Sequence, residues 1–154
     1  MTLSAVLLLM PGPAVFAQAP APKFINPPGL TRPTGYTHVV VAADGRTAYI
    51  AGQVAFDSTG AVVGGKDFHA QAEQVFANLR RALASVGASF DEVMKTTTFI
   101  TDLQNLPALR EVRGRYFSAT APPANSLIPV ATLARPDLLL EIEAIVDLSG
   151  THGR

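Results

Sequence analysis

Between residues 138 and 147 the side chains separate by parity. Leu138, Leu140, Ile142, Ala144 and Val146 fall on one side of an extended chain, and Leu139, Glu141, Glu143, Ile145 and Asp147 on the other, which is the two-residue period of a strand. The first set is a core face. The second sets three carboxylates among apolar neighbours, suits neither burial nor open water, and predicts a wall that meets a partner or a ligand. Upstream, residues 125–133 alternate more loosely around Pro129, which predicts a sheet edge or bulge because proline has no N–H for the ladder.

The rest of the chain supplies the layers around that strand. Residues 36–43 are β-rich, Asp44-Gly45 is a two-residue hairpin signal, and residues 46–56 alternate again, with Ala48, Ile50, Gly52, Val54 and Phe56 on one face. Gly52 inside the second of these strands predicts a bulge or a close approach by backbone or ligand. Asp67 is placed to cap a helix whose apolar positions, Phe68, Ala72, Val75, Phe76, Leu79, Leu83 and Val86, recur at helical spacing until Gly87 stops it. Its other face, with Glu73, Gln74, Arg80 and Arg81, reads as solvated surface. Residues 92–101 read as a strand, and Asn105 is expected to cap a second helix running to about residue 117, with Pro107 in its first turn. On that helix Arg110 and Arg113 stand beside apolar positions rather than opposite them, as at an interface or an anion site. The order is β-β-α-β-α-β-β, an α+β domain with two helices on one face of a mixed sheet. The opposite face, with Tyr49, Gln53, Glu141 and Glu143, is then bare and half apolar, which predicts a homo-oligomer.

Composition works mainly by exclusion. The chain of 154 residues suits one domain with a proper core, and its 12 basic and 12 acidic residues cancel, so it lacks the basic excess of a general nucleic-acid or anionic-membrane surface. The absence of cysteine removes disulfides, thiolate zinc sites and a Cys nucleophile together. His38, His69 and His152 have no metal-type spacing, so no metal is expected. Ser126 lacks a nucleophile elbow, and Gly64-Gly65-Lys66 lacks the rest of a P-loop. At the start, the apolar run 5–10, then Pro11-Gly12-Pro13 and Val15-Phe16-Ala17, are the ingredients of a secretory signal with cleavage after Ala17, though its n-region carries no Lys or Arg. The expected division is a signal over 1–17, a Pro-rich leader over 18–34, the domain over 35–149 and a tail over 150–154. A periplasmic or secreted protein follows, with a cytoplasmic one as the alternative.

Residues YIAGQV at 49–54, QAEQVFANL and GASFDEVMKTTTFITDL across 71–103, and PANS followed by LEIEAI across 123–145 resemble the Rid proteins, the reactive intermediate deaminases also called YjgF-like. The resemblance spans about residues 36–147. It implies a chorismate-mutase-like fold, a homotrimer whose sheets form an inner barrel, and intersubunit clefts that bind small carboxylates. It also implies hydrolysis of enamine or imine intermediates to 2-oxo acids plus ammonia, without metal or cofactor. By position in the family's motifs, Tyr36 corresponds to the pocket tyrosine, Gly52 to the backbone contact beside the substrate, and Glu141 to the acidic residue that positions water. Asn125 departs from the pattern, because deaminating members carry arginine there. An amide offers hydrogen bonds but no charge, and a buried carboxylate loses about 1.5–3 kcal/mol for each ionic hydrogen bond removed. Arg110 falls where many members carry a pocket-lining asparagine, so arginine and asparagine would have exchanged places, with Arg110 clamping the carboxylate from across the cleft. The alternatives are a non-catalytic binder of small metabolites, favoured by Asn125, and an RNA-cleaving or translation-inhibiting role attributed to some relatives, which the neutral charge disfavours.

Overall fold

A computed structural model describes residues 20–150. The signal expected over 1–17 and the tail residues 151–154 lie outside the described residues. Eight elements follow in order: β1 (Lys23–Ile25), β2 (Val39–Val41), β3 (Thr47–Gln53), α1 (Phe68–Ala84), β4 (Val93–Ile100), α2 (Leu106–Arg113), β5 (Ala124–Pro129) and β6 (Leu140–Asp147). The strands form one mixed sheet in the order β1-β2-β3-β6-β4-β5, in which only β4 and β5 run parallel. The strand with the clearest alternation is therefore central. Pro129 ends the edge strand β5, where a missing N–H breaks no ladder.

The core lies between the sheet and the two helices. Leu140, Ile142, Ala144 and Val146 of β6 are buried with Val75, Phe76, Leu79 and Leu83 of α1 and Leu109 and Val112 of α2. Asp67 caps α1 as expected, accepting from the N–H groups of His69 and Ala70. After Ala84 the chain turns through Gly87 at φ +71°, a conformation that costs glycine little. Among the described residues no helix is long and apolar enough to cross a membrane.

Several local expectations are corrected. The leader contributes a strand of its own, because β1 pairs antiparallel with β2 and extends the sheet by one edge. The hairpin is present but its loop is longer than two residues: the N–H of Ala42 reaches the carbonyl of Thr47, with Gly45 at φ +74° inside. Asn105 makes no side-chain cap. Asp102 instead caps a short turn, Leu103–Asn105, that runs straight into α2, and α2 ends at Arg113 with Gly114 following. Glu73 is not plain surface, since it takes the Tyr116 hydroxyl at 2.9 Å and pairs with Arg115 at 2.5 Å, tying α1 to the segment after α2. Gln53 is not on the bare face. A register shift between Ile50 and Gln53 moves one residue out of the alternation, so Gln53 turns inward and is buried.

Candidate functional site

On the face away from the helices, cross-strand pairing aligns side chains in rows. Val40, Tyr49, Ile145 and Lys95 form one row, Glu143, Thr97 and Ser126 the next, and Glu141, Phe99 and Ile128 a third. Tyr49 is 52% exposed and Ile145 37%. The first row, with Thr97 and Glu143 of the second and with Thr37, lines a hollow of about 330 Å³. Lys95 and Glu143 are its charged lining residues.

The third row ends at the bulge of β3, beside a second cavity. A cleft of about 480 Å³ is walled by Thr31, Arg32, Thr34, Tyr36, Gly52, Phe56, Arg135 and Glu141. The Glu141 side chain lies directly over Gly52: a Cβ added there would fall 1.8 Å from Oε1, 2.6 Å from Cδ and 2.9 Å from Cγ. Only glycine admits that carboxyl group, which is the close approach its place in the strand predicted. Burial pushes the Glu141 carboxyl above the ordinary glutamate value of 4.5, and the neighbouring Glu143 carboxylate adds to the shift. Burial likewise raises Tyr36 above 10.0, with the charge of Glu141 a second cause, so the phenol keeps its proton and stays a donor.

Two pinned loops carry the remaining walls. The leader loop is fastened by His38, which is 3% exposed. Its Nε2–H donates to the Thr31 carbonyl at 2.8 Å, its Nδ1 accepts from the Gln53 amide at 3.3 Å, and its backbone N–H donates to Asn26 Oδ1 at 3.0 Å. Gln53 also donates to the Ala51 carbonyl at 2.9 Å, so the bulge and the loop share one network and the imidazole is the neutral Nε2–H form. The Tyr36 ring meets the His38 ring edge-on, centroids 5.2 Å apart. The second loop, which leads into β6, is held by the buried Gln71 of α1. Its amide donates to the carbonyls of Asp137 at 2.7 Å and Gly65 at 2.6 Å, and its oxygen accepts from the Leu139 N–H at 2.9 Å.

Of the residues singled out from the sequence, Tyr36, Gly52 and Glu141 meet in this cleft. Asn125 and Arg110 do not line it. Asn125 pairs with Thr96 on the helix side of the edge strand, and its Oδ1 accepts from the hydroxyls of Thr96 at 2.9 Å and Thr98 at 3.0 Å. Arg110 is exposed in the last turn of α2. Arg32, Arg135 and the positioning residues His38 and Gln53 were missed. Arg32 and Arg135 sit in irregular segments with no period to betray them, whereas the Gly52 bulge was the available signal for Gln53. Among the described residues no cluster of three or more His, Asp or Glu side chains could hold a metal ion.

Residues 30–148 match the family described as Endoribonuclease L-PSP. Protein DfrA of Myxococcus xanthus is 37% identical over 125 residues, covering 81% of this chain and 88% of that protein. Among solved structures, RidA from the Antarctic bacterium Psychrobacter sp. aligns with a TM-score of 0.72 at 32% identity, over 85% of this chain and 99% of that one. TdcF of E. coli, solved with bound serine, aligns with a TM-score of 0.71 at 28% identity, over 80% and 96% respectively.

Proposed function

Because the chain belongs to the Rid, or endoribonuclease L-PSP, family, we propose that it is a homotrimer whose clefts bind small carboxylates and hydrolyse imine or enamine intermediates to carbonyl compounds plus ammonia. The observation that carries this reading is the half-buried Glu141 carboxyl laid over Gly52, beside Tyr36, with a raised proton affinity. Such a group can hold water and take its proton near neutral pH, where an ordinary glutamate is a weaker base. In the reaction the water oxygen bonds to the imine carbon, Glu141 accepts a water proton, the carbon–nitrogen bond breaks, and nitrogen leaves with the protons as ammonia. Tyr36 donates a hydrogen bond to the substrate, and Gly52 lets it approach the main chain. Trimer formation would cover the apolar row of Val40, Tyr49 and Ile145. It would also bring Arg110 and Asn125 to a cleft from a neighbouring protomer.

The test is to generate a 2-imino acid in situ with an amino-acid oxidase and follow ammonia. The wild type should exceed the buffer rate, Glu141→Gln should remove about 10²–10⁴ of the acceleration, and the acid limb should lie above 4.5. A wild type no faster than buffer contradicts the hydrolase reading. Asn125 favours one alternative, a binder without turnover, because its amide is uncharged and its oxygen is already taken by two threonines. Serine affinity without ammonia release would establish that alternative.

A further inference from the structure

We propose that the ligand's carboxylate is gripped by Arg32 and Arg135 of the same protomer that supplies Glu141, and that the cleft therefore selects small monocarboxylates. The inference rests on the reading of this cleft as a carboxylate site, and it replaces the charge that Asn125 lacks from a place the motif does not cover.

Both guanidiniums line the cleft that contains Glu141. Arg135 is fixed: its Nε donates to Asp137 Oδ1 at 3.0 Å, its Nη2 to Oδ2 at 2.5 Å, and its Cζ lies 5.5 Å from the centroid of the Phe56 ring. One edge of the fork is thus committed and the remaining donors are free. Arg32 makes no ion pair or side-chain hydrogen bond among the described residues, so its whole fork is open to a bidentate carboxylate. Asp137 neutralises one of the two cations, so the arginine pair itself keeps one positive charge, and the Glu141 carboxyl group in the same cleft further disfavours a second carboxylate on the ligand. The loops that carry these arginines are the ones fastened by His38 with Gln53 and by Gln71, so the pair is presented by pinned backbone.

The position relative to the acid matters as much as the charge. Burial and the Glu143 carboxylate raise the proton affinity of Glu141. Arg32, Arg135 and Glu141 are walls of one and the same cleft. In a 2-imino acid the nitrogen-bearing carbon is bonded to the carboxylate carbon, so a carboxylate held at the arginines keeps that carbon within the cleft that Glu141 also lines, as the proposed hydrolysis requires.

Calorimetric titration of the full chain with serine, 2-oxobutanoate and succinate tests the grip without relying on turnover. Arg32→Gln should weaken the two monocarboxylates by about tenfold to a hundredfold, the loss of one charge-assisted bond. Arg32→Lys should restore part of this, since charge returns without the fork. Arg135→Gln should weaken them less, wild-type affinity should fall with salt, and succinate should bind no tighter than the monocarboxylates. Mass and melting temperature of each variant report folding, and the salt dependence reads the same charge in unmutated protein. Wild-type affinity for serine in Arg32→Gln, or a loss confined to Arg110→Ala, overturns the proposal. A wild type that binds serine in this manner but releases no ammonia removes the hydrolase and leaves the grip. A wild type that turns over imine with Arg32→Gln unchanged removes the grip alone.

Discussion

The two faces of the sheet come from the same strands and the same two-residue alternation, yet a single chain completes only one of them. On β6, Leu140 and Val146 are fully buried beneath the helices, while Ile145 on the other side is 37% exposed beside Tyr49 at 52%. The covered side of β6 is apolar throughout, with Leu140, Ile142, Ala144 and Val146 all buried. The bare face mixes Val40, Tyr49 and Ile145 with Lys95, Glu143 and Glu141, a composition too greasy for water and too charged for a core. Alternation of this half-polar kind is the physical ground for the proposed trimer. Within that face, Glu141 and Glu143 repeat the lesson on a smaller scale. They are two residues apart and point the same way, but it is Glu141 that lies over Gly52 at the bulge of β3, where burial raises its proton affinity.

Breaking the covered face should show the largest effect. Leu140→Ala removes a fully buried side chain between β3 and β4 and should cost about 2–5 kcal/mol in denaturant unfolding. Gly52→Ala comes next. Its Cβ occupies the place of the Glu141 carboxyl, so the acid must move. Imine turnover should fall by at least about tenfold, with a stability cost of about 1–3 kcal/mol. Ile145→Asp on the bare face should leave the protomer folded by circular dichroism but reduce the mass seen by light scattering from trimer to monomer. The smallest effect sharpens the contrast between the two glutamates. Because the folded proton affinity of Glu141 is raised, its contribution to stability is present below the unfolded value and lost as pH rises through the folded one. Glu141→Gln should therefore gain in melting temperature on the wild type as pH rises, while losing activity.

What could be seen in the sequence was what is local and periodic. The parity of residues 138–147, the Asp67 cap and the glycine in the second hairpin strand each announce themselves within a few positions, and each is found as expected. Three-residue β1 is too short to carry a period, and only its pairing with β2 makes it a strand. Gln53 was misplaced because strict alternation was carried through the bulge that Gly52 signalled, and the register shift there turns Gln53 to the other face. The Asp102 and Asn105 positions compete for one cap, and the short turn between them decides for Asp102. The cleft itself was half legible: Tyr36, Gly52 and Glu141 stand in motifs. Arg32 and Arg135 lie 103 positions apart in irregular loops, and nothing short of the tertiary fold brings them to one cleft.

The most direct test of the account is a crystal structure of this chain grown with serine, the molecule seen bound to TdcF. The account predicts serine in the cleft between Tyr36, Gly52 and Glu141, its carboxylate toward Arg32 and Arg135 and its amine toward Glu141. Serine seated instead on the Lys95 and Glu143 hollow, or an empty cleft at a serine concentration that saturates binding in solution, would contradict it.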